Sequence, residues 1–96
     1  MSPKNKKKLE IIRSKLDILD NKLLSLIKYR TSLVKEVLKL KEFKKEIIDI
    51  KRINFILKKI NAKSKKLKID PKITNRIWKN MIWSYIDYEK KNFKKK

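Results

Sequence analysis

The sequence predicts an all-α chain of three helices, the first of them long, that pairs with a second copy of itself. Three observations carry this expectation. The 96 residues include no glycine and only two prolines, Pro3 and Pro71, so tight turns are scarce. Long stretches of Leu, Ile, Lys and Glu lie between them, a composition that favours helix. The N-terminal half also carries an apolar repeat that a chain of this size has too little structure to cover alone.

That repeat runs through Leu9, Ile12, Leu16, Leu19, Leu23, Leu26, Leu33, Val37 and Leu40, in the alternating steps of three and four that mark a heptad seam. No Gly or Pro interrupts residues 4–40. One helix of about 35 residues follows, on the order of 50 Å long at about 1.5 Å per residue. Two shorter helices cannot bury a seam of that length, so a homodimer is expected.

The period is lost over residues 42–48, after which Asp49 offers a side-chain oxygen to cap a second helix ending near Lys66. Ile50, Ile53, Ile56, Leu57 and Ile60 are expected to form its buried face. The strongest boundary is Asp70-Pro71, a capping residue followed by proline at the first helical position. The third helix should turn Ile73, Ile77, Trp78, Met81, Ile82 and Tyr85 inward and fray after about Asn92. A single domain over residues 6–92 is expected, with a basic N-terminal tail at 1–5 and a Lys-rich tail at 93–96.

Composition excludes much chemistry. Without Cys or His there is no disulfide, thiol nucleophile, imidazole base or zinc site of the usual kind. Without Gly there are no phosphate-cradling loops. No metal or cofactor is expected, and the reaction must use Lys, Arg, Asp, Glu, Ser, Thr or Tyr, or need no covalent or proton-transfer step. No apolar run approaches the roughly 20 residues that span a bilayer, and residues 1–8 lack the apolar segment of a signal peptide, so no membrane partner and a cytoplasmic location are expected.

The net charge of +20 raises a nucleic-acid reading, because basic proteins bind phosphate backbones by releasing counterions. The lysines are scattered along the chain, however, apart from the runs at 4–8 and 94–96. A solvated lysine face accounts for them, and a positive field also attracts a small dianion. Nucleic acid is therefore the less favoured partner.

Only four of the 30 basic residues are arginines, namely Arg13, Arg30, Arg52 and Arg76. Arg30 occupies the one seam position that is not apolar, where a guanidinium needs an anion to offset its desolvation. A buried ion pair or a register device across a coiled coil is the less favoured, purely structural alternative. Lys41 follows 11 residues later, which brings the two side chains within about 20° of each other around the helix and about 16 Å apart along it. Two long side chains at that spacing can grip a substituted six-membered ring. Asp49 and Arg52 are neighbours in the first turn of helix two, where a solvated ion pair is the plain alternative. Tyr85 and Glu89 lie one turn apart on helix three. For Glu89 the sequence favours an exposed position at a fraying helix end over a buried acid. The serines and threonines have no His to activate them, and none is assigned a nucleophilic role.

Taken in order, these positions resemble the all-helical class of chorismate mutases. The stretch LEIIRSKLDILDNKLLSLIKYRTSLVKEVLKLK, residues 9–41, resembles that family's pattern of an Arg, repeated Leu-Asp pairs, Leu-Leu, and a second Arg before an apolar stretch ending in Lys. Asp49-Ile50-Lys51-Arg52 resembles its Asp-x-x-Arg helix start, and Ile69-Asp70-Pro71 the turn into its last helix. The resemblance covers nearly the whole chain.

It implies an intertwined homodimer with two active sites that convert chorismate to prephenate in aromatic amino-acid biosynthesis. Each site takes Arg30, Lys41, Asp49, Arg52, Tyr85 and Glu89 from one subunit and Arg13 from the other. Arg13 and Arg30 would clamp the substrate carboxylates, and Lys41 and Glu89 would face the ether oxygen. The concerted Claisen rearrangement needs no nucleophile, which agrees with the inventory above. This chain departs from the pattern at three places. Ile53 replaces a Glu that meets the substrate hydroxyl, Tyr85 a small Ser, and Glu89 a Gln, and a Glu must be protonated to donate to the ether oxygen. An apolar residue after the helix-two Arg and a Tyr in helix three also resemble isochorismate pyruvate lyases, which share the scaffold, whereas Asp49 fits the mutases.

Overall fold

The computed structural model describes residues 1–94, so Lys95 and Lys96 of the expected C-terminal tail lie outside the described residues. Among the described residues there are three α-helices, α1 at Pro3–Leu40, α2 at Ile50–Lys66 and α3 at Pro71–Asn92, with a 3-10 turn at Lys44–Glu46 between α1 and α2. The chain is all-α, as the sequence predicts, and divides into two compact units, Met1–Leu33 and Val34–Lys96.

The first unit is the greater part of α1. Ser2 caps it, its hydroxyl accepting from the Asn5 amide at 3.2 Å, and Pro3 takes the first helical position, where a missing N–H costs nothing. No residue of α1 is buried within the chain. The seam side chains Ile12, Leu16, Leu19, Leu23 and Leu26 all lie about half exposed or more. Arg30 is half-buried and engaged with neighbouring groups.

In the second unit α2 and α3 pack as an antiparallel pair around Ile47, Ile82 and Ile86, with Ile53, Ile56, Leu57 and Phe93 against them. Ile47 directly follows the 3-10 turn, whose polar sequence gives no hint that a core residue comes next. Three expected inward positions are corrected: Ile50, Ile73 and Ile77 are each more than half exposed in the single chain. On α3 the covered stripe follows Thr74, Trp78, Ile82, Ile86 and Glu89. Ile73 and Ile77 lie off that stripe, since one residue of offset turns a side chain by about 100° around a helix.

The turn between α2 and α3 is closed at both ends. At the end of α2 the Ile69 amide donates to the Ser64 carbonyl at 2.9 Å and the Lys68 amide to the Lys65 carbonyl at 3.1 Å, the paired bonds of a Schellman ending. Asp70 then caps α3 by accepting from the Lys72 amide at 3.0 Å. The buried Ser64 hydroxyl meets the Thr74 hydroxyl at 2.6 Å and donates to the Ile60 carbonyl, tying the two helices together beside the turn.

This ending requires a left-handed residue, and Lys68 provides it at φ 58°, a conformation that glycine adopts without steric cost. Lys68→Gly is therefore expected to stabilise the chain by about 0.5 kcal/mol or slightly more, relief of left-handed strain outweighing the extra entropy that glycine loses on folding. An upward shift of the urea midpoint at unchanged slope is the expected result, and a lower midpoint would show that the lysine side chain contributes more than its backbone costs.

Candidate functional site

The best-defined polar contact in the second unit joins the residue after α1 to the last turn of α3. The Lys41 ammonium lies 3.0 Å from Oε2 and 3.3 Å from Oε1 of Glu89. Glu89 is only 5% exposed. The expectation that it sits at a frayed, exposed helix end is thus corrected. An ionised carboxylate among Ile82 and Ile86 needs a partner, and the cation reaching it comes from 48 residues away in sequence. An ammonium carries three N–H donors, of which the carboxylate takes at most two, so a donor remains for a second acceptor.

Lys41 begins the loop to α2, and Glu46 closes that loop on itself. One carboxylate oxygen, Oε2, accepts from the Glu42 amide at 2.7 Å and from the Phe43 amide at 2.9 Å. These two amides hold the Glu46 carboxyl below the usual carboxylate range, and the Lys45 and Lys41 ammonium groups lower it further. At the far end of the loop, buried Ile47 anchors the chain and Asp49 caps α2 by accepting from the Arg52 amide at 3.0 Å. Asp49 thus caps α2 as the sequence predicts, through a bond to the Arg52 backbone.

The Arg52 guanidinium lies 5.4 Å from the Phe55 ring centroid, and the Lys59 ammonium lies 5.8 Å from the same ring. Between the end of α1 and the start of α2 opens a cleft of about 600 Å³, with Lys41, Glu46 and Asp49 on its polar side and Val37, Leu40 and Ile48 on its apolar side. Its lining suits a small molecule with an apolar ring and ionised substituents. Tyr85 is half-buried on α3, one turn before Glu89, and engaged with neighbouring groups.

Of the expected site residues, Lys41 and Glu89 are in direct contact, and Lys41 and Asp49 line one cleft. Arg13 is exposed and Arg30 half-buried, both on the Met1–Leu33 part of α1. Glu46 and Phe55 were not among the expected residues. Phe55 was detectable from its spacing, three residues after Arg52 and four before Lys59. Glu46 was not, because nothing in the polar run KEFKKE marks a 3-10 turn, and Phe43 at its start offers no side-chain cap. Among the described residues no group of three or more acidic side chains could hold a metal ion. No helix of the described residues is long and apolar enough to cross a membrane.

A family model described as chorismate mutase type II matches residues 12–90. No curated protein and no solved structure matches the chain.

Proposed function

The chain belongs to the chorismate mutase type II family and converts chorismate to prephenate, and we propose that the cleft beside Lys41 receives the reacting end of that substrate. The observation that carries this reading is the Lys41 to Glu89 pair, an ammonium held by a buried acid with a donor to spare at the edge of the cleft. In the rearrangement the ether C–O bond breaks while a C–C bond forms between the enolpyruvyl methylene and the ring. No proton or covalent bond to the protein is required. Negative charge grows on the ether oxygen, and Lys41 donates to it where it is greatest in the transition state.

The remaining roles rest on the family motifs. Arg30, and Arg13 from a second copy of the chain, clamp the two carboxylates through their planar guanidinium forks, holding the flexible substrate in a compact near-attack geometry. Asp49 and Arg52 border the ring and its hydroxyl, Tyr85 forms a wall, and Glu89 stands beside the ether oxygen as the carboxylate that holds Lys41 there. The half-exposed leucine seam of α1 supports an intertwined homodimer, because it leaves a row of large apolar side chains uncovered along one helix of the single chain. The catalytic domain spans residues 6–92, the basic ends at 1–5 and 93–96 lie outside it, and the enzyme works in the cytoplasm without a cofactor.

Incubation of the purified protein with chorismate, and separately with isochorismate, tests this assignment. Prephenate is expected from chorismate, with Arg30→Ala reducing kcat/KM by at least about 10²-fold if the bidentate clamp is as described. Salicylate and pyruvate from isochorismate, with chorismate untouched, would move the chain to the lyase reaction. An Arg30→Ala variant with unaltered kinetics would remove the clamp. Salt-sensitive DNA binding without turnover of either substrate would favour the nucleic-acid reading.

A further inference from the structure

The loop between Lys41 and Asp49 has no regular repeat to stiffen it, yet the two residues at its ends are the ones the proposed reaction needs at fixed positions. Two bonds hold the backbone around Lys41. Its own amide donates to the Leu38 carbonyl at 3.2 Å, and the next amide, that of Glu42, donates to the Glu46 carboxylate at 2.7 Å. The same carboxylate oxygen takes the Phe43 amide, so one side chain satisfies two successive donors that follow the end of α1. Glu46 is followed directly by Ile47, which is 3% exposed and fixed among Ile82 and Ile86. The carboxylate therefore ties the backbone beside Lys41 to the residue that precedes a core anchor.

We propose that Glu46 is a positioning residue for catalysis: its carboxylate clamps the Glu42 and Phe43 amides and so holds Lys41 in the place from which it reaches both Glu89 and the substrate. Without the clamp the loop gains backbone freedom, and the Lys41 stem, which leaves the chain one residue before the first clamped amide, loses its fixed origin. Misplacement of a donor by about 1 Å is enough to lower a rate by up to about 10²-fold. Glu46 itself does not touch the reacting atoms. Its acceptor geometry matters more than its charge, since a second anion in the cleft repels a dianionic substrate and only the two amides and the neighbouring lysines offset it.

This inference rests on the role given to Lys41, and a double-mutant cycle separates the two. Full-length Glu46→Ala, Glu46→Gln, Lys41→Met and Glu46→Ala with Lys41→Met are assayed with chorismate, and thermal unfolding is followed for each. Glu46→Ala is expected to lower kcat about tenfold with KM changed less than about threefold. Glu46→Gln, whose amide oxygen still accepts, recovers most of the loss. In the Lys41→Met background Glu46→Ala should have no further effect on kcat, because Glu46 acts through the lysine already removed.

Equal tenfold losses in both backgrounds would overturn the proposal, as would a Glu46→Ala enzyme with wild-type kcat. A Glu46→Gln variant as slow as Glu46→Ala at unchanged melting temperature would show that charge, not the clamp, is what Glu46 supplies, and would also overturn it. If Lys41→Met itself keeps wild-type kcat, the role of Lys41 fails first, and the inference about Glu46 falls with it.

Discussion

Lys41→Met is expected to lower kcat for chorismate by about 10²–10³-fold, the loss typical of removing one well-placed donor from a developing oxyanion. The same substitution leaves the Glu89 carboxylate buried without its cation and should destabilise the fold by about 1–3 kcal/mol. The two effects can be told apart. Adding Glu89→Gln to Lys41→Met removes the stranded charge and should restore most of the melting temperature while leaving kcat low. A double variant that regained both stability and rate would show that Lys41 is only a structural counter-ion, and the ether-oxygen role would have to pass to another donor.

The second large effect concerns association. Leu19→Lys combined with Leu26→Lys places two cations on the apolar seam of α1 and is expected to convert a dimer to a monomer with lower helicity and at least about 10²-fold less activity. Each leucine removed from an interface forfeits about 1.5–3 kcal/mol of burial, and twofold symmetry counts every substitution twice. The lone chain has little in reserve, since Ile47, Ile82 and Ile86 are its only buried apolar residues among those described. Sedimentation velocity and circular dichroism read the outcome. A helical, fully active monomer would rule out a site that borrows Arg13 from a second copy.

The elements were legible in the sequence wherever the signal is local. Asp70-Pro71 and Asp49 mark the starts of α3 and α2 because a capping oxygen acts on amides two or three residues away. The uninterrupted run before Leu40 likewise determines α1. Long-range matters were legible only through the family resemblance, which set Lys41 and Glu89 in one site, and not from the local pattern. Glu89 looks like a frayed terminal residue until Lys41 is brought against it, and no pattern within α3 contains that information. Trp78, Met81, Ile82 and Tyr85 are covered as expected, but Ile73 and Ile77 on the same helix were misread for a related reason. Ile73 and Ile77 satisfy the helical period as well as Ile82 and Ile86 do, and only packing against α2 selects between the two stripes. Nor did the motif reading find the carboxylate clamp of Glu46, which depends on a 3-10 turn whose sequence is mostly lysine.

The Lys65 to Thr74 turn has a further meaning for the life of the molecule. All its bonds join residues no more than ten apart, so it can close about as fast as a short loop diffuses shut, on the order of 10–100 ns. Yet it lies late in the chain, and synthesis delivers α1 first. An incomplete chain therefore displays the leucine-rich stripe of α1 before α2 and α3 have been made. The lysines distributed along the whole length give such incomplete chains a common positive charge, and like-charge repulsion disfavours their association.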